Sequence, residues 1–208
     1  MQNLDLEEQE KLDALRAWWK ENARLIVLVV AAAAIAVAGT NGWRWYQRQQ
    51  SLEAGALYDT LAKAVRAGDA KALRDAGGAL TERYAGTLYA SMGALAAADF
   101  HFDRGELQSA KAQLQWVLER SPAEDFRDIA RLRLGALLLD EKALDEALQL
   151  LEAQPQEAYA AQFAALRGDL LVAKGQPAQA RAAYQLALEK ASGPFRDSVQ
   201  MRLDALGG

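Results

Sequence analysis

The apolar positions of this chain follow two different patterns. From Leu25 to Trp43, nineteen consecutive side chains carry no charge. Beyond residue 50, apolar residues recur at three- and four-residue spacing among Glu, Gln, Arg and Lys, the period of helices that bury one face. The first pattern suits a helix solvated by lipid: at about 1.5 Å per residue the run reaches roughly 28 Å, close to the hydrocarbon thickness of a bilayer. Trp18 and Trp19 precede it, and Trp43, Trp45 and Tyr46 close it, where amphipathic rings sit among headgroups. Lys20, Arg24, Arg44 and Arg48 are placed to extend their charges outward. The same run also fits a buried helix of a soluble core, or the apolar stretch of a cleaved signal peptide with Ala36-Val37-Ala38 imitating its cleavage site. A core helix, however, seldom lacks charge on every face over this length. A signal peptide wants a short basic start, whereas the 24 residues before Leu25 hold six carboxylates against four Lys or Arg. We therefore read a retained anchor in the lipid bilayer, which divides the chain into a tail over 1–24, a membrane helix over 25–43 and a soluble domain over 44–208.

Within the tail, Leu4, Leu12, Leu15, Trp18 and Trp19 recur at near-helical spacing and predict a short amphipathic helix over 3–20. Its acidic polar face disfavours tight adsorption to anionic lipid. After the anchor no proline and only Gly55 intervene before Gly68, so the membrane helix is expected to continue outward, as a stalk, into the first helix of the domain. The breaks that follow are evenly placed, which points to an internal repeat. Three helix–turn–helix units share a small residue in the first helix at Ala98, Gly135 and Gly168, and a turn at Gly105, Lys142 and Gly175. They also share a small residue in the second helix at Ala110, Ala147 and Ala180, followed four residues later by Leu114, Leu151 and Tyr184. These landmarks recur at 33 to 37 residues, and Pro122 and Pro155 close two of the units. Small side chains let the paired helices approach closely, and the bulky ones are expected to fill the groove formed with the next unit. A degenerate unit is expected over 57–84, and a capping helix over 193–208 with Pro194 near its start. No stretch alternates apolar and polar residues over strand length, so the fold is read as all-α, an ordinary helical bundle being the competing arrangement.

Charge and composition narrow the function. The 208 residues carry a net charge of −4 with acids and bases interspersed, so no basic face is presented and nucleic acid is not called as a partner. Zero cysteines exclude disulfides and thiolate metal sites. Four Lys or Arg precede the anchor while only Arg44 and Arg48 fall in the first nineteen residues after it; the positive-inside rule then leaves the N-terminus in the cytoplasm and exports the domain. The single histidine, His101, has no histidine or cysteine partner and is read as a packing residue rather than a general base. Gly77-Gly78 is read as helix packing or a break, and His101-Phe102-Asp103 lacks the helical spacing of a metal pair. No catalytic residue, metal or cofactor is assigned, and the chain is not read as an enzyme.

The repeat landmarks resemble those of tetratricopeptide repeats, which ask for a small residue in the first helix, an alanine in the second, an apolar residue four on, and a terminal proline. Ala94, Arg131 and Ala164 depart from that family's large apolar residue, and Arg167 replaces a leucine. An acidic tail, one membrane helix and a domain of weak tetratricopeptide repeats together resemble the YfgM family, the ancillary subunit of the bacterial SecYEG translocon, over essentially the whole chain. The resemblance implies a single N-terminal transmembrane helix followed by a tetratricopeptide-like α-solenoid. It further implies a single-pass protein of the bacterial inner membrane, with the N-terminus cytoplasmic and the domain periplasmic. The implied partners are the SecYEG translocon, a PpiD-type membrane-anchored chaperone and unfolded exported proteins. The repeat domain of cell-division coordinators is a neighbouring resemblance that lacks the retained anchor.

Repeat domains bind along the inner face of their first helices. In the register above, that face carries Tyr58 and Val65, then Met92, Leu95, Asp99 and Phe102, then Ile129, Leu132 and Leu139, then Gln162, Ala165 and Val172. It is mostly apolar, and Met beside aromatic residues suits adaptable recognition, although neighbouring helices or the cap can also bury part of such a stripe. Met92, Leu95 and Phe102 are expected to be exposed because Ala94, Ala97 and Ala98 beside them are small. Two functions fit these residues: a binding subunit acting with periplasmic chaperones on proteins leaving the channel, or a structural scaffold of envelope machinery without unfolded clients.

Overall fold

The structure, a computed structural model, describes residues 6–207, with side chains from residue 9 onward. Leu4 of the amphipathic stretch and Asp5 lie outside these residues. Among the described residues there are nine α-helices and no strand, and they fall into two compact units divided between Gln49 and Gln50.

Helix α1 spans Leu6–Ala67 without a break. Glycine inside a helix costs only about 1 kcal/mol and cannot end it alone, and no proline intervenes. Within the N-terminal unit no side chain from Leu25 to Trp43 is buried. That openness removes the reading of this run as a core helix, and by length and composition it is a helix able to cross a membrane. The Thr40 hydroxyl donates to the Val37 carbonyl at 3.0 Å, which would satisfy it in a bilayer, where lipid offers no acceptor.

The second unit is built from the end of α1 and eight further helices: α2 (Ala70–Arg83), α3 (Leu88–Asp103), α4 (Leu107–Arg120), α5 (Glu124–Asp140), α6 (Leu144–Leu150), α7 (Ala160–Ala173), α8 (Pro177–Lys190) and α9 (Gly193–Asp204). A 3-10 turn over Glu157–Tyr159 precedes α7. The helices form four hairpin pairs, α3–α4, α5–α6 and α7–α8 and the end of α1 with α2, where Leu61 and Ala64 meet Leu73, Ala76 and Leu80, with α9 packed on α8. Each pair turns in the same way. Gly68, Gly105, Lys142 and Gly175 adopt φ of 68°, 74°, 61° and 75°, and the next residue's N–H reaches five residues back, as from Asp69 to Ala64 at 2.9 Å and from Ala143 to Leu138 at 2.8 Å. This closes the first helix through its left-handed residue. Lys142 holds a conformation that glycine takes more cheaply, and its place in the repeat explains why it does so.

Every small and bulky landmark is buried. A methyl group on Gly168 would fall 2.3 Å from Tyr184 Cε1, and one on Gly135 would fall 3.0 Å from Leu166 Cδ2. The bulky Tyr184 thus rests on the small residue of its own pair, whereas the groove toward the next pair is filled from α7 by Leu166. At Tyr184 the expected role of the bulky position is corrected, because Gly168 leaves a gap within the pair that the ring fills, whereas Leu114 is buried among Leu134 and Leu138 of the next pair. Apolar burial is local in consequence, with separate clusters around Leu61 and Leu80, around Leu134 and Leu138, and around Tyr184 and Val199, as in a stack where each repeat touches only its neighbours.

Candidate partner-binding surface

Counting back from each turn places the expected binding residues in rows along the first helices of the pairs. Three residues before the turns stand Val65, Phe102, Leu139 and Val172; ten before stand Tyr58, Leu95, Leu132 and Ala165. Phe102 and Val172 are 48% and 41% exposed. Asp99 is also open, while Tyr58, Val65, Met92, Ile129, Leu132, Leu139 and Gln162 are half-buried.

Two residues do not belong to this surface. Leu95 is buried in the same cluster as Leu134 and Leu137, and the Arg133 guanidinium passes over it to reach its carbonyl oxygen at 3.4 Å. The small neighbours that were expected to leave Leu95 open instead let α5 close over it. Ala165 is buried with Ala180 and Ala183; its methyl is too short to rise past the helices beside it. Met92, expected open, is only half so.

Around Phe102 the face forms a cleft of about 220 Å³ between α3 and α5, with Ala98, Leu114 and Leu137 as apolar lining and Asp99, Arg133 and Asp140 at the polar edge. Arg133 Nη1 donates to both oxygens of Asp99 at 2.8 and 2.9 Å, so these two charges largely satisfy one another. Asp140 is left to meet a donor from outside. The cleft is therefore suited to an apolar side chain laid against Phe102 and followed by a polar or cationic group. Arg133 and Asp140 went unrecognised in the sequence, although Asp140 repeats the position of Asp103 two residues before the preceding turn.

His101 sits at the rim of that turn, edge-on to Phe100 at 5.9 Å, with Nδ1 2.6 Å from Glu106 Oε2. The hydrogen bonds from His101 and then Arg104 hold the Glu106 carboxyl below its ordinary value. This is a turn clasp. Two further polar clusters are structural. Buried Asp128 accepts from Arg131 at 2.7 Å and from the Gln156 N–H at 2.7 Å. Asp169 accepts from the Tyr184 hydroxyl at 2.7 Å and from Arg202 at 2.6 Å, while burial, then that hydrogen bond, pushes the phenol up.

Paired helices with repeated left-handed turns, stacked through local clusters behind an apolar N-terminal helix, define a tetratricopeptide-type repeat protein. A family model described as a tetratricopeptide repeat-like domain matches residues 16–208. The chain is 31% identical over 204 residues, 97% of its length and 98% of the relative's, to the Haemophilus influenzae protein named "Ancillary SecYEG translocon subunit". Proteins of the same name from Neisseria gonorrhoeae and Escherichia coli are 28% and 27% identical, over 97% and 96% of the chain and 98% and 96% of their own lengths. The chain belongs to this family of ancillary SecYEG translocon subunits. No solved structure matches it.

Proposed function

We propose that this protein is a membrane-anchored subunit of the secretory translocon, held by Leu25 to Trp43 with its tail over 1–24 in the cytoplasm and its repeat domain over 44–208 in the periplasm. There it binds partners along the first-helix face. Association with a SecYEG channel follows the name its relatives carry along their whole length. The partners proposed for the face are a PpiD-type membrane-anchored chaperone and unfolded segments of exported proteins leaving the channel. The observation that carries the binding reading is the half-exposed Phe102 beside an apolar cleft, since a buried, fully packed face would offer nothing to grip.

A photo-reactive amino acid placed at Phe102 or Val172 in cells tests this. The expected adducts contain channel subunits, the chaperone or an arrested precursor, and an exposed control position such as Gln115 on α4 gives none of them. Adducts with envelope proteins but never with a precursor would make the protein a scaffold without unfolded clients. Absence of channel, chaperone and precursor alike from both positions would refute the binding reading.

A further inference from the structure

On the side of the domain away from the first-helix face, one helix is cut short. Helix α6 has 7 residues where α4 and α8 have 14 each, so about two turns, roughly 10 Å of helix, are missing from its end. The chain that would have continued α6 is drawn aside. Gln156 gives its N–H to the fully buried Asp128 of α5 at 2.7 Å, and Arg131 fixes that carboxylate from the other side at 2.7 Å. The result is a cleft of about 330 Å³ running over α7 between the end of α6 and α8.

The floor of this cleft is unusual for its register. Eight residues before the turn, α3 has Ala97 and α5 has Leu134, 3% and 4% exposed under the second helix of the preceding pair. The same position on α7 is Arg167, which is exposed. Among the described residues it makes no hydrogen bond or ion pair. The carboxylates on the rims are already held, Asp145 by Lys174 and Glu157 by Lys190, and Glu152 lines the cleft without reaching Arg167. One flank of the guanidinium is apolar, with Ala164, Ala182 and the 48% exposed Leu186 of α8, and the other is polar, with Gln149, Glu152 and Gln179. An unpaired guanidinium between an apolar flank and a polar one, in a space shaped by absent helical turns, is complementary to an amphipathic helix that brings its own carboxylate.

We infer that this cleft receives a short amphipathic helix of a partner protein, whose leucine-like side chains lie on Ala182 and Leu186 and whose Asp or Glu carboxylate pairs with Arg167. The site is separate from the first-helix face and does not depend on what that face binds.

The test uses the full chain in lipid nanodiscs and three labelled helical peptides of about fourteen residues, the length of α4 and α8, with one Glu, Gln or Lys centred on a leucine face. Fluorescence anisotropy should show the Glu peptide binding about tenfold tighter than the Gln and Lys peptides, the scale of one charge-assisted hydrogen bond. Arg167→Glu should abolish that preference and turn it toward the Lys peptide, with circular dichroism unchanged. Leu186→Ser should weaken all three, and Phe102→Ser should leave the Glu preference intact. Equal binding of the three peptides, binding of none, or a Glu preference that survives Arg167→Glu would overturn the inference. A preference lost on Phe102→Ser instead would place the peptide on the first-helix face, overturning this site while leaving the proposed function standing.

Discussion

Replacing Gly168 with alanine is the sharpest check on how the paired helices meet. In an open helix this change gains about 1 kcal/mol, because alanine is the better helix former. On α7 the new methyl would lie 2.3, 2.5 and 2.8 Å from three ring carbons of Tyr184, distances at which something must move. The ring is held in place, since it is 2% exposed and its hydroxyl bonds Asp169, which also binds Arg202 of α9. Overpacking a fixed core costs about 1–3 kcal/mol, and displacing the hydroxyl from its acceptor about 1 kcal/mol more. Less the propensity gain, Gly168→Ala should destabilise the domain by about 1–3 kcal/mol. Gly78 on α2 meets nothing within 4 Å, so Gly78→Ala should stabilise it by up to about 1 kcal/mol. Urea unfolding of the full chain in detergent, followed by circular dichroism, reads both. Tyr184→Leu, which places at this register the residue found at Leu114 and Leu151, should rescue Gly168→Ala in a double-mutant cycle. A Gly168→Ala protein as stable as the Gly78→Ala one would refute the close approach.

Three other outcomes follow from the same geometry. Leu95→Ser should lower the thermal unfolding midpoint by an amount equivalent to about 2–4 kcal/mol, because Leu95 is core, whereas Phe102→Ser, at a half-exposed site, should cost less than about 1 kcal/mol; equal costs would contradict the burial described. Asp128→Asn should cost about 2 kcal/mol or more by removing the charge that faces Arg131, and limited proteolysis should then cut the segment over 152–156 faster than in the wild type. Burial and the bond to Asp169 raise the Tyr184 phenol above its ordinary value of 10.0; a group raised on folding stabilises fully below its unfolded value, so stability should fall as pH rises past 10, and Tyr184→Phe should flatten that fall in alkaline urea titrations.

The turns were legible because they depend on local chemistry repeated at fixed intervals. Even Lys142, which has no glycine's freedom, is identified by its place between Gly105 and Gly175. The unbroken course of α1 through the apolar run was legible for a similar reason, since only proline or a capped turn would have stopped it. The early end of α6 is also written in the sequence, in the spacing of its proline. Pro122 comes 17 residues after Gly105, beyond the last turn of α4, while Pro155 comes 13 after Lys142. There its ring would collide with the carbonyl four residues earlier and disfavour helix at Gln154, so it truncates the helix rather than following it. Leu95 was misplaced for a different reason: helical periodicity says which side chains share a face, but not whether a neighbouring element covers that face. The Asp128 and Asp169 clusters join residues about 30 positions apart, and no local pattern announces such pairs.

The location of the Phe102 cleft can itself be traced to how successive pairs are joined. Six residues before one turn, Asp99 on α3 meets Arg133 on α5, which stands nine before the next turn. A similar pairing recurs where Asp169 on α7, also six residues before its turn, meets Arg202 on α9, 33 residues further along against 34 for Asp99 and Arg133, so α9 stands where the first helix of a further pair would. Between α5 and α7 the corresponding positions are Ala136 and Leu166, and that junction is closed by Leu166 against Gly135. Exposed ion pairs contribute little stability, about 0–1 kcal/mol, but they bridge helices at the tips of long side chains instead of interlocking them. An apolar junction fills its own groove; an ionic one keeps the space beneath the bridge open. The cleft beside Phe102 lies at an ionic junction, and the surface available to a partner is thus set by which residue stands opposite the aspartate row.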